Sequence, residues 1–278
     1  MLKACLNGQR SRAAHPAVPV TPTELAADAA RCAALGVAAV HVHPRDAAGV
    51  ESLRPAVIAD ALTAIRAARP GLPVGVSTGA WIEPDPAARV AAVRSWPVLP
   101  DFASVNAHEP GAEGVAAALH ERGVLVEVGL WTLDAVKAYR SWRVPVGRIL
   151  VECMAQEAPV ALADAARILA ALPPPSAAMP GVPPPSAGMP AVSPPSAGMP
   201  GGSPPSTGMS GGSPPEDAVA PPVLLHAEGP ATWAVLAEAV SRGLHTRIGL
   251  EDTLLLPDGV PAPGNAALVT AALAAGAG

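Results

Sequence analysis

Eight apolar, β-rich segments alternate with eight alanine-rich segments of helical spacing along this 278-residue chain. That alternation restricts the fold more than any single motif, because side-chain periods of 2 and 3.6 succeed one another with short connections. The strand segments are Leu2–Leu6, Ala38–His43, Pro73–Ser77, Phe102–Asn106, Val124–Gly129, Arg148–Cys153, Val223–Ala227 and Thr246–Glu251. The helical segments follow them, and the first is clearly signposted. Thr21-Pro22-Thr23-Glu24 has the form of a capping box with proline at the first helical position. Leu25, Ala29, Cys32, Ala33 and Leu35 make its apolar stripe, and Gly36 suits the position after its end. Strands alternating with helices specify an α/β protein with a parallel sheet, and eight such units closing on themselves make a (β/α)₈ TIM barrel. An open doubly wound sheet would usually carry a glycine-rich phosphate fingerprint after its first strand, and Gly8 alone is not one.

Residues 173–222 interrupt the pattern before the seventh strand. A ten-residue unit recurs there as PPPSAAMPGV, PPPSAGMPAV, SPPSAGMPGG and SPPSTGMSGG, and the segment holds about half of the 35 prolines. It has too few bulky apolar side chains to offset its ordering entropy, so the reading is a disordered or polyproline-II-like insert. Glycine does not recur every third residue, which excludes collagen, and the unit is too short and coreless for a solenoid. Residues 1–172 and 223–278 would then form one catalytic barrel, with 173–222 a low-complexity excursion from its surface.

Net charge is −5 and the pI is near 5.8, which argues against non-specific nucleic-acid binding. Cys5, Cys32 and Cys153 are widely separated and form no CxxC pair, the pattern of a reduced, cytoplasmic protein. Charged residues interrupt every apolar run before it reaches membrane-spanning length. The first eight residues read as a strand and not as a signal peptide.

In a barrel, chemistry gathers at the carboxyl ends of the strands, and the unusual polar residues of this chain fall there. His41 and His43 lie two apart at the end of the second strand, hence on one face, and Pro44 stops the strand behind them. Two imidazoles so placed suit a divalent transition metal, with a third ligand from elsewhere. Glu251 is a carboxylate in a similar setting. It is followed by Asp252, and the two point to opposite faces if the strand continues; if it breaks, one acid can bind metal while the other serves as base. Asn7, Ser77, Thr78, Ser104, Asn106, Glu127, His226 and Arg247 complete the strand ends. Glu152 and Glu228 read as strand-end acids facing water. A metal beside a carboxylate base suits reactions through an enolate. Zinc hydrolases on barrels place their HxH pair on the first strand and add later histidines, which does not match. Iron oxygenases with two histidines and one carboxylate usually sit on a β-sandwich, which the helices contradict.

The chain also resembles the β-keto acid cleavage enzyme family. The stretches that carry the resemblance are Ala4-Cys5-Leu6-Asn7-Gly8, His15-Pro16 through Val20-Thr21-Pro22, and His41-Val42-His43-Pro44-Arg45-Asp46. They continue with Val76-Ser77-Thr78-Gly79, Ala103-Ser104-Val105-Asn106, Arg247-Ile248-Gly249-Leu250-Glu251-Asp252 and Gly264-Asn265-Ala266-Ala267-Leu268-Val269. The resemblance implies a cytoplasmic zinc enzyme, a homotetramer, that condenses a β-keto acid with acetyl-CoA and releases acetoacetate and a new acyl-CoA. It implies that His41, His43 and Glu251 hold zinc, that Asp252 is the base and that Arg247 orients it. Ser77, Thr78, Ser104, Asn106 and Glu127 would bind substrate. Two positions depart from the family. Arg10 replaces a glutamate suited to a substrate ammonium, which favours an anionic or neutral tail. Gly129 replaces the second of two carboxylates after the fifth strand. The alternative is a barrel without activity, acting as a scaffold through its proline-rich insert. Intact His41, His43, Glu251 and Asp252 favour the enzyme.

The insert joins a helix to a strand, so it leaves from the face opposite the strand ends, and the closure cost of a long loop rises only logarithmically. Replacing 173–222 with a short Gly-Ser linker is expected to leave metal content, melting temperature and turnover close to wild type. A folded variant without turnover would place the insert at the active face.

Overall fold

The computed structural model describes residues 1–172 and 220–278. The decapeptide repeats, and with them the expectation of a disordered insert, lie outside the described residues. Eight strands run through the described chain: β1 Leu2–Cys5, β2 Ala39–Val42, β3 Val74–Ser77, β4 Phe102–Asn106, β5 Leu125–Leu130, β6 Arg148–Cys153, β7 Val223–Ala227 and β8 Thr246–Ile248. Helices α1 Pro22–Ala34, α2 Pro55–Ala68, α3 Pro86–Ser95, α4 Ala112–Glu121, α5 Leu133–Arg140, α6 Ala158–Ala170, α7 Thr232–Ser241 and α8 Asn265–Ala274 follow them in turn. Every strand pairing is parallel, in the order β7-β6-β5-β4-β3-β2-β1-β8. The ring closes between its ends, where Leu225 N–H donates to His245 O at 2.9 Å and His245 N–H to Val223 O at 3.1 Å. This is the (β/α)₈ barrel that the alternation of segments implies. No helix among the described residues is long and apolar enough to cross a membrane.

Local chemistry starts the helices where the sequence signals them. Thr21 accepts from Glu24 N–H while Glu24 accepts from Thr21 N–H at 2.9 Å, so the capping box is complete. Pro22, Pro55 and Pro86 each open a helix, where a missing N–H costs nothing. The insert joins α6 to β7, and Pro222, in the fading end of the repeat, already accepts from Ile149 N–H at 3.0 Å.

The strands sort their side chains by alternation. Outward residues such as Leu2, Ala4, Val40, Val42, Val74 and Val76 join the helices in one apolar core. Inward residues are far more polar. Lys3, fully buried, donates to Glu127 at 2.6 Å, and Arg148 grips the other oxygen of the same carboxylate. The Phe102 ring lies between the two cations, 5.2 Å from Lys3 Nζ and 5.7 Å from the Arg148 guanidinium. Burial would raise the Glu127 carboxyl, but Lys3 and Arg148 outweigh it and hold it below the ordinary carboxylate range. Both oxygens of Glu127, expected to bind substrate, are engaged by these two cations inside the barrel.

Removing one partner of a buried ion pair strands the other charge, at a cost of roughly 3–5 kcal/mol. Glu127→Ala is therefore expected to lose stability on that scale in urea denaturation. A loss under about 1 kcal/mol would mean that Lys3 finds water or another partner.

Candidate active site at the carboxyl ends of the strands

The pair on β2 is built as its spacing requires. His41 lies within the strand and His43 just past its end, and both are buried, with ring centroids 5.1 Å apart. Asn7, just past β1, clamps the second one. Its amide donates to His43 O at 2.9 Å and accepts from His43 N–H at 2.9 Å.

The third element depends on where β8 stops. Gly249 lies so close to β1 that a Cβ there would collide with the Cys5 carbonyl. The chain instead turns, with Asp252 N–H and Thr253 N–H both donating to Gly249 O at 2.9 and 3.0 Å. Asn265 at the start of α8 fixes this turn from behind. It accepts from Leu250 N–H at 2.7 Å and donates to Leu6 O and Asp28. Gly8 has φ +53°, and a Cβ on it would strike the Glu251 side chain. The strand thus breaks before the two acids, and Glu251 and Asp252 take different surroundings.

Glu251 turns to the histidines. Its Oε2 lies 3.7 Å from His43 Nε2, and ligand atoms of His41, His43 and Glu251 all lie within 4.8 Å of one another. Its Oε1 is 3.0 Å from Arg247. His41 Nδ1 and Glu251 Oε2 are buried with no hydrogen-bond partner among the described residues. Burial drives the His41 imidazole well below its usual pKa, the neutral form that coordinates metal. His43 Nδ1 meets Glu51 at 2.8 Å, which leaves Nε2 facing the site. Burial alone would lower the His43 pKa, but Glu251 and Glu51 reverse that and raise it. Orphaned buried donors, two nitrogens with one oxygen, and a carboxylate behind one histidine together fit a divalent transition metal.

Asp252 lies beside that cluster, with a carboxylate oxygen within 4.8 Å of ligand atoms of Glu251 and Glu228. It is fully buried, and its Oδ1 accepts from Arg247 Nε at 2.9 Å with Nη2 at 2.8 Å. Its Oδ2 is buried without a partner among the described residues. His226 on β7 lies 3.6 Å from Asp252 Oδ1 and 3.3 Å from Glu152 on β6. Glu228 lies 3.7 Å from Arg247, and burial, with Glu152 next to it, pushes its carboxyl up to about 7.

A cavity of about 440 Å³ opens over this wall. Among the expected residues His41, His43, Ser77, Ser104, Asn106, Arg10, Arg247 and Glu251 line it, whereas Thr78, Glu127 and Asp252 do not. The Thr78 hydroxyl donates to Ser104 O at 2.8 Å. Arg10 reaches back to the turn, with Nε donating to Glu251 O at 3.2 Å and Nη2 to Asp252 O at 3.4 Å. Glu152 and Glu228 both line the cavity, Glu152 buried at 5% exposure and Glu228 with 33% of its side chain exposed. Glu51 and Trp81 are absent from the sequence reading. Both come from loops, and Trp81 Nε1 donates to Glu51 at 3.0 Å while its ring stacks on His43 at 6.2 Å. A lone acid eight residues after His43 gives no periodic signal, so only the folded loop reveals it.

The barrel brings a His-His-Glu group that could hold a metal ion and an arginine-held acid side by side at the carboxyl ends of its strands. The family model for beta-keto acid cleavage enzyme matches residues 1–144 and 220–277, and the chain belongs to that family. Among solved structures it resembles those titled as the apo structure of ObcA (TM-score 0.58, 14% identity) and the binary complex of ObcA with oxaloacetate (TM-score 0.57, 15% identity). A third, titled as the ternary complex of ObcA with C4-CoA adduct and oxalate, has a TM-score of 0.59 at 14% identity. Each match covers 93% of this chain, which spans only 61% to 63% of the ObcA chains, and at such identity the likeness concerns the fold alone.

Because Glu51 sets which nitrogen of His43 faces the site, Glu51→Gln is expected to weaken metal binding by about 10- to 100-fold. His41→Ala/His43→Ala should abolish it. Elemental analysis with competition titration against a chelator checks both, and stoichiometric metal in the double variant would remove this site from consideration.

Proposed function

We propose that this protein is a zinc-dependent β-keto acid cleavage enzyme that uses acetyl-CoA. The β-keto acid R–CO–CH₂–COO⁻ and acetyl-CoA become acetoacetate and R–CO–CoA. The observation that carries the reading is the division of labour at Glu251-Asp252. One acid joins His41 and His43, while its neighbour is held by Arg247 with one oxygen free. His41, His43 and Glu251 hold the zinc, which when bound supplies Lewis acidity toward the keto and carboxylate oxygens. Asp252 uses its free Oδ2 to take a proton from the carbon between the two carbonyls, and returns it to that carbon in acetoacetate. Arg247 orients Asp252 through Nε and Nη2 at Oδ1. Ser77, Ser104 and Asn106 line the cavity with hydroxyl and amide groups suited to the carboxylate and keto oxygens. Asn106 is itself oriented by Glu109, to which its amide donates at 2.9 Å.

The ObcA titles support the reading by chemistry. Oxaloacetate carries a carboxylate β to its keto group, and the C4-CoA adduct of the ternary complex links such chemistry to CoA. Arg10 supplies positive charge at the cavity edge, which favours an anionic or neutral tail. Residues 1–172 and 223–278 act as one catalytic unit, and the insert takes no part in the reaction.

The test is a panel of β-keto acids with acetyl-CoA, followed for acetoacetate and acyl-CoA. Asp252→Asn is expected to keep its metal and lose turnover by roughly two or more orders of magnitude. Near-normal turnover in that variant would overturn the assignment of the base. Arg10→Glu is expected to shift preference towards amino-bearing substrates. A uniform loss across the panel would show that Arg10 serves only to fasten the Glu251–Asp252 turn.

A further inference from the structure

Asp252 is held from two sides, and the proposed chemistry uses only one of them. Arg247 approaches Oδ1 with Nε at 2.9 Å and Nη2 at 2.8 Å. From β7 the imidazole of His226 approaches the same oxygen, with Nδ1 at 3.6 Å, and its Nε2 points to Glu152 Oε2 at 3.3 Å. His226 is 1% exposed, and neither ring nitrogen completes a hydrogen bond among the described residues, so the two flanking carboxylates are its nearest polar neighbours. Glu152 itself borders the cavity. β6, β7 and the turn after β8 therefore set carboxylate, imidazole and carboxylate side by side, ending on the acid whose other oxygen has no partner among the described residues.

We infer that His226 and Glu152 are positioning residues for the proton-abstracting carboxylate, with Glu152 orienting His226 and His226 fixing Asp252. The inference rests on the reading of Asp252 as base. The reasoning is geometric. A carboxylate can rotate about its Cβ–Cγ bond and exchange its oxygens, so a base works best when one oxygen is locked and the other presented. Arg247 alone cannot be devoted to that task, because the same Nη2 also lies 3.0 Å from Glu251 and 3.7 Å from Glu228. An imidazole packed beside Oδ1 from β7 limits the remaining freedom by contact and charge. Charge supports the arrangement. Burial and Arg247 both push the His226 imidazole towards its neutral form, and Glu152 with Asp252 outweigh them and raise its pKa. Reciprocally, burial would raise the Glu152 carboxyl, and His226 reverses the direction. The line is thus two acids around one imidazole, in the way that a carboxylate fixes ring orientation in catalytic triads and behind metal-bound histidines.

His226→Gln and Glu152→Gln are close in size and remove the charges. In the zinc-loaded enzyme each is expected to lower kcat about 10- to 100-fold, the usual cost of losing an orienting partner, with KM, metal content and melting temperature near wild type. Because they act as one line, the double variant should lose little more than the worse single one. A second readout needs no complete turnover. Exchange of the α-protons of a β-keto acid in D₂O, without acetyl-CoA and followed by NMR, should slow by the same factor in both variants and fall to background in Asp252→Asn. Wild-type exchange in His226→Gln, or a change confined to KM, would overturn the inference and leave Asp252 as base. A proportional loss of metal or melting temperature would also overturn it, by showing a structural role. Undiminished exchange in Asp252→Asn would instead overturn the reading on which the inference rests.

Discussion

The close approach of β8 to β1 at Gly249 is the contact on which the rest of the site depends. With no room for a side chain against the Cys5 carbonyl, the backbone there must be glycine, and the ladder stops at Ile248. Asn265 then ties the turn to β1 through Leu250 N–H and Leu6 O. In an unbroken strand two consecutive acids would face opposite sides, one of them into the apolar layer beneath the helices. The turn lets both stay in the polar interior while separating their surroundings. Glu251 then meets imidazoles and Asp252 meets a guanidinium.

That interior is unusual in carrying buried charge at two levels. Lys3, Glu127 and Arg148 form one cluster around the Phe102 ring, and Arg247 with Glu251, Asp252 and Glu228 forms another at the cavity wall. In the first both Glu127 oxygens are engaged and Arg148 Nε alone is left without a partner among the described residues, so its contribution is to the integrity of the barrel. The second has buried oxygens and nitrogens left over among the described residues. Unpaired buried polar atoms are expensive, and their concentration beside a cavity is what separates a site from a salt-bridged core. The same contrast explains why Glu127 and Glu251, both acids on inward positions, differ in use.

Loops supply what the strands do not. Glu51 and Trp81 brace His43, and Arg45 donates to Gly8 O at 2.8 Å and Arg10 O at 2.7 Å, drawing the first loop over the site. Arg10, held against the Glu251–Asp252 turn, brings positive charge to the cavity edge through the same assembly. The first loop and the anchoring of the acids are in this way mechanically linked.

Much of this was legible in the chain itself. Periodicity 2 and 3.6, Pro22, Pro55 and Pro86 at helix starts, and the Thr21–Glu24 box are local signals, so the eight units follow from neighbouring residues alone, whereas the early end of the eighth strand, read as Thr246–Glu251 but stopping at Ile248, does not. His41 and His43 share a face because strand geometry demands it. Partners across the barrel carry no such signal. That Glu127 would be consumed by Lys3 and Arg148, that Thr78 would spend its hydroxyl on Ser104, and that Glu152 would meet His226 instead of water depend on strand register and barrel closure. Those are set by packing of the whole ring, and a one-residue slip in any strand would exchange its inward and outward side chains. The sequence determined which elements form and which residues are able to do chemistry. The tertiary structure decided which of them are left unpaired to do it.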